Sequence, residues 1–162
     1  MTSLAAAVVA AAIAAQAAAP APRPGAPAAT APAIAALFPD EPAPSDTTLG
    51  VTVYPTAQFL GSYDAGRGQR FYLYGTTASF TEMLAYYRTL LRQKGSSIFD
   101  TPAVYIFEIG KYDEDQMAFP PSVTVKDYSG DGNGGYLNPR PGASPERFPT
   151  ILQIVPPPAG AR

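Results

Sequence analysis

The chain has no histidine, no cysteine and no tryptophan among its 162 residues. Without histidine there is no Ser-His-Asp or Cys-His nucleophile pair, and no imidazole to titrate near neutrality. Without cysteine or histidine there is no tetrahedral zinc site, iron–sulfur cluster, cysteine-linked haem or disulfide. Charge is scarce as well. Lys and Arg number 11 against 13 Asp and Glu, a formal net charge of −2, which leaves no electrostatic footprint for nucleic acid. No cofactor is expected. What the chain does have, unevenly spread, is 19 prolines and 14 glycines.

Alanine and proline dominate from Met1 to about Asp46, a stretch whose only aromatic is Phe38. Such a segment buries too little surface to offset the entropy of ordering its backbone. Its start, Leu4 to Ala19, reads LAAAVVAAAIAAQAAA, with Ala15 and Ala17 at the spacing of an A-x-A processing site. As a helix this run spans roughly 24 Å, short of the ~30 Å hydrocarbon core, so a cleaved export signal is expected and no stable membrane span after processing. No Lys or Arg precedes it. From Ala18 onward prolines recur every two to seven residues, which disfavours helix and favours polyproline II. The expected organisation is a signal peptide over 1–17, a disordered Pro/Ala-rich spacer over 18–48, a compact domain over 49–156, and a disordered tail over 157–162.

Within the compact region one helix is plainly written, over about 80 to 94. Ser79-Phe-Thr-Glu82 is a capping box, and Phe80, Met83, Leu84, Tyr87, Leu90 and Leu91 fall on one apolar stripe. Gly95 suits the C-terminal stop. Strands are expected at Val51–Tyr54, Arg70–Tyr74, Ser97–Phe99, Val104–Ile109, Val123–Tyr128 and Thr150–Val155, the last closed off by Pro156-Pro157-Pro158. The expected class is α+β: a mostly antiparallel sheet of about five to six strands, with one long helix packed on one face.

A single helix shields one side of a sheet, so the reverse side is wet, shared or covered by loops. If Phe71 and Leu73 face the helix, strand alternation sends Arg70, Tyr72 and Tyr74 to the open side, with Lys126 and Tyr128 beside them. Tyrosines there are rigid amphipathic anchors for an extended ligand. These five residues are the candidate binding face, with an envelope protein, a peptide or a glycan as the partner class.

Two other chemistries are weighed. Asp127, Ser129 and Asp131 match the start of a calcium loop at positions 1, 3 and 5, with Gly132 at 6 and Asn133 a further candidate ligand, but Asn138 stands where a bidentate Glu belongs. Glu108 interrupts an apolar strand; paired with Glu82, Asp64 or Arg70 it is a candidate acid–base group, and Lys111 to Asp115 gathers three further carboxylates. Gly66-Arg67-Gly68 precedes a strand rather than a helix, which makes it a turn and not a phosphate loop.

Three segments, SYDAGRGQRFYLYGT (62–76), YYRTLLRQKG (86–95) and MAFPPSVTVKDY (117–128) followed by GYLNP (135–139), together resemble small exported bacterial proteins of uncharacterised function. The resemblance implies a periplasmic or secreted address and a small sheet-plus-helix domain, and it carries over no catalytic residue. The leading expectation is an exported, non-catalytic binding or assembly module of the cell envelope. A small cofactor-free hydrolase using carboxylates, then a calcium-dependent binding module, are the alternatives.

Overall fold

The computed structural model describes residues 41–130, 132 and 134–158. The expected signal peptide, the spacer as far as residue 40, and residues 159–162 of the expected tail lie outside the described residues. A short helix α1 (Asp46–Leu49), N-capped by Ser45, is the first element among the described residues. Then come β1 (Gln58–Gly66), β2 (Gln69–Thr76), helix α2 (Phe80–Leu91), β3 (Ser96–Asp100), β4 (Ala103–Glu108), β5 (Ser122–Asp127), β6 (Tyr136–Leu137), β7 (Arg147–Phe148) and β8 (Thr150–Val155). Six strands form one sheet in the order β1-β2-β8-β5-β4-β3, and β6 and β7 form a separate two-stranded ribbon. Every neighbouring pair is antiparallel.

The expected α+β class with one long helix is corrected by this architecture. The described residues are mostly sheet, and the two helices are four and twelve residues long. α2 begins as the capping box requires, with the Ser79 side chain accepting from the Glu82 N–H at 3.2 Å. It stops at Leu91 because Arg92 turns into the left-handed region at φ 51°, ahead of the glycine expected to end it. Two bonds hold the departing chain: Arg88 Nε donates to the Lys94 carbonyl at 3.3 Å, and Gln93 Nε2 donates to the Glu108 carbonyl at 2.6 Å.

Tertiary packing also overrides propensity at the first strand. Val51–Tyr54 is irregular chain, although Val51 is buried and Val53 and Tyr54 pack on the core. The edge strand is β1 instead, paired to β2 through a tight turn in which Gly66, Arg67 and Gly68 all have positive φ. Phe59 joins the helix-side core and adjacent Leu60 the reverse side, and the register then shifts so that Gly61, not Leu60, stands opposite Leu73. This bulge erases the alternation by which a strand is recognised in sequence.

The main core lies between the sheet and α2. Met83, Leu84 and Tyr87 from the helix meet Phe59, Tyr74, Phe107, Val123, Val125, Leu152 and Ile154 from the sheet, with Leu49 sealing one end. On the reverse side a second cluster joins Leu60 and Ile151 to Phe148 of the ribbon, with Leu73, Tyr128 and Tyr136 packed around it. Part of the reverse side is therefore covered by the chain's own ribbon.

Candidate functional site: the groove beyond the helix

The hairpin β1–β2 outruns the rest of the sheet. β2 pairs with β8 from Thr76–Thr150 as far as Tyr72–Ile154, and beyond Val155 the chain becomes Pro156-Pro157-Pro158, which has no N–H to donate. β1 and β2 stay paired with each other down to Gly66–Gln69. The projecting arm and the unpaired proline run leave a groove of about 460 Å³ between them. Tyr72, Arg70, Gln69 and Arg67 line the arm side, the three prolines the other, and Gln116 and Met117 the far end.

Side-chain bonds hold the far end in place. Gln69 acts as a substitute strand partner for the neighbouring loop: its Oε1 accepts from the N–H groups of Ala118 (2.6 Å) and Phe119 (3.0 Å), and its Nε2 donates to the Phe119 carbonyl (2.9 Å). Arg67 donates from Nη1 to the carbonyls of Glu114 and Met117. Within the loop, Asp113 accepts from the Asp115 N–H at 3.0 Å and, through its carbonyl, from the Met117 N–H at 2.9 Å.

Two guanidinium groups line the groove and no carboxylate does, on a chain that is net negative. Asp64 stands opposite Arg70 in the hairpin register, but its Oδ1 is taken by the Gly66 N–H at 2.7 Å. Arg70 donates from Nε to Ser62 Oγ at 3.1 Å, and again from Nη2. The Ser62 hydroxyl in turn faces the Glu41 carboxylate, at 2.9 Å to Oε1 and 2.8 Å to Oε2. Arg70 and Glu41 themselves stand 4.0 Å apart, both well exposed.

The five residues expected on one binding face are divided among three places. Arg70 and Tyr72 line the groove. Tyr74 lies under the helix, 3% exposed, with its ring 5.3 Å from that of Phe59. Its hydroxyl has no hydrogen-bond partner among the described residues, and burial pushes its pKa up to about 12. Lys126 lies on the reverse side, donating to Gln153 Oε1 at 2.8 Å, with its pKa lowered by burial. Tyr128 meets Tyr136 edge to face at 5.3 Å beside the ribbon. The cause of the division is the phase of β2: Tyr72 and Tyr74 share the helix side with Phe59, while Leu73 points to the ribbon.

The carboxylates weighed for hydrolysis are spread over separate elements. Glu108 is exposed at the end of β4, Glu82 on α2 accepts from the Tyr54 hydroxyl, and Asp64 bonds within its own turn. That phenol contact, followed by weaker burial and charge effects, raises the Tyr54 pKa. In the calcium-like loop Asp127 Oδ1 accepts from the Ser129 N–H at 2.9 Å, an ordinary Asx turn, while Asp131 and Asn133 lie outside the described residues. The Asn138 side chain is committed locally, donating to the Pro145 carbonyl and accepting from the Arg140 N–H. Among the described residues no group of three or more acidic side chains is placed to hold a metal ion.

Sequence reading missed Ser62, Gln69, Gln116 and the prolines as site residues. The signal for the prolines was present, since a strand followed at once by three prolines must leave its neighbour unpaired. Among the described residues no helix is long and apolar enough to cross a membrane. No family model, no curated protein and no solved structure matches this chain.

Proposed function

We propose that the protein is an exported, non-catalytic binding module of the bacterial cell envelope, periplasmic or secreted, which holds an extended peptide segment of another envelope protein in the groove beyond α2. The observation that carries this reading is the seat of Glu41. A carboxylate, that of Glu41 just before Pro42, already rests on the arm at Ser62, next to Arg70. The groove adds a phenol, two carboxamides and a proline wall, a lining suited to an extended backbone with small or proline side chains. Export is supported by the apolar run from Leu4 to Ala19 and by the resemblance to small exported bacterial proteins, both sequence observations.

The test is capture of a partner from envelope extract by the full chain, compared with Gln116→Glu and Leu137→Ala. Gln116 is exposed, and a glutamate there sets a carboxylate in the basic groove without touching the core. Leu137 is exposed on the ribbon, away from the groove lining. The reading predicts that a polypeptide captured by the parent chain and by Leu137→Ala is lost with Gln116→Glu. Equal capture by all three overturns it.

A further inference from the structure

We propose that the Ser62–Arg70 pair is the carboxylate anchor of the groove, and that Glu41 occupies it as a built-in competitor which an acidic peptide ligand must displace. The proposal rests on the peptide-binding reading above and names both the ligand chemistry and its regulation. Ser62 and Tyr72 face each other in the hairpin register, with Arg70 two residues from Tyr72 on the same side of β2. Ser62 stands on β1 just beyond the groove lining, so a ligand side chain that passes Tyr72 and Arg70 comes to the hydroxyl that now holds Glu41.

The anchor works as a relay. Ser62 Oγ accepts from the Arg70 guanidinium, which orients its proton toward the carboxylate at 2.8–2.9 Å. The arginine supplies positive charge at 4.0 Å, and the serine supplies direction. Asp64, the nearest acid across the hairpin, spends its Oδ1 on the Gly66 N–H. Among the described residues Glu41 is the one carboxylate in ion-pair range of Arg70.

Exposure makes this contact a latch rather than a fixed structural bridge. Arg70 and Glu41 keep 49% and 38% of their side-chain surface in water, and an ion pair so solvated is weak. An occupant of that strength lowers the affinity for a competing carboxylate by about two- to fivefold without blocking it. The competing ligand class is an acidic peptide containing proline, the chemistry of the sequence around the Glu41 carboxylate seated there, Asp-Glu-Pro-Ala-Pro.

The experiment uses the full chain and a fluorescent, end-blocked peptide of sequence Asp-Glu-Pro-Ala-Pro, followed by polarisation. A second peptide carries Gln in place of Glu. The Glu41→Gln protein is expected to bind the first peptide about two- to fivefold more tightly than the parent chain. Adding Arg70→Gln to it reverses the gain, and the second peptide gains nothing from Glu41→Gln. Equal affinity of parent and Glu41→Gln for the first peptide, an equal gain for the second peptide, or binding to neither protein overturns the latch. The two proposals fail separately: a null effect of Glu41→Gln, with partner capture still lost in Gln116→Glu, removes the latch and leaves the groove.

Discussion

The Phe148 ring fills the space beside Gly75 in which any larger residue's Cβ would stand. This one contact settles which way β2 faces. Gly75 must turn toward the ribbon, and alternation then sends Tyr74 and Tyr72 to the helix side. Gly75→Ala is expected to cost about 1–3 kcal/mol through overpacking, and Phe148→Ala about 3–5 kcal/mol through the cavity it leaves. Urea unfolding of the two variants measures both, and an unchanged midpoint for Gly75→Ala would contradict the phase argument.

Tyr74 and Tyr72 are expected to respond differently to substitution. Tyr74→Ser removes a ring from the main core and is expected to cost about 3–5 kcal/mol, while Tyr74→Phe removes only a buried, unpartnered hydroxyl and is expected to be neutral or stabilising by up to about 1 kcal/mol. Half-buried Tyr72 tolerates truncation better. Equal losses for Tyr72→Ser and Tyr74→Ser in thermal melts would show that the two share one environment.

Alkaline stability gives an independent check on Tyr74. Burial raises its folded pKa to about 12, above the unfolded value of 10.0. The neutral phenol is therefore favoured by folding: its contribution is complete below pH 10 and is lost as pH rises from about 10 to 12, where the unfolded chain ionises first. Tyr74→Phe is expected to lose less stability than the parent between pH 8 and 11, measured by denaturant midpoints. Parallel losses would place the titrating group elsewhere.

The two ends of α2 predict shifts of opposite sign. Ser79 caps the first turn, and Ser79→Ala is expected to cost about 1 kcal/mol. Arg92 holds a left-handed conformation that disfavours any residue with a Cβ, so Arg92→Gly is expected to stabilise by about 1 kcal/mol. Melting temperatures of the single variants read both, and a destabilised Arg92→Gly would mean that its side chain holds the chain more strongly than its backbone strains it.

Much of the sheet was legible because its central strands obey simple rules. Thr150–Val155 is bounded by prolines, Val104 and Ile106 to Phe107 are apolar on both sides, and the Ser79 cap announces the helix. The edge strand was not legible: its bulge at Leu60 and Gly61 breaks the period of two, and its pairing comes from the turn at Gly66–Gly68. The ribbon strands are two residues each, too short to carry any period. The candidate site was half legible. Arg70 and Tyr72 were named, but placing them with Tyr74, Lys126 and Tyr128 assumed the wrong phase for β2. The clue to that phase was Gly75 inside a strand, a residue that marks close approach of another group. Ser62 and Gln69 act through side-chain bonds to segments distant in sequence, which no local pattern announces.

The central claim, that the groove beyond α2 is the surface this protein presents to a partner, is tested most directly by site-specific photocrosslinking in envelope preparations. A crosslinker replaces exposed Thr48 at the groove, Leu137 on the ribbon or Phe99 on the outer strand. The account predicts one discrete crosslinked polypeptide from position 48, abolished by Gln116→Glu, and none from 137 or 99. A discrete product from position 99 or 137 with none from 48 would contradict it.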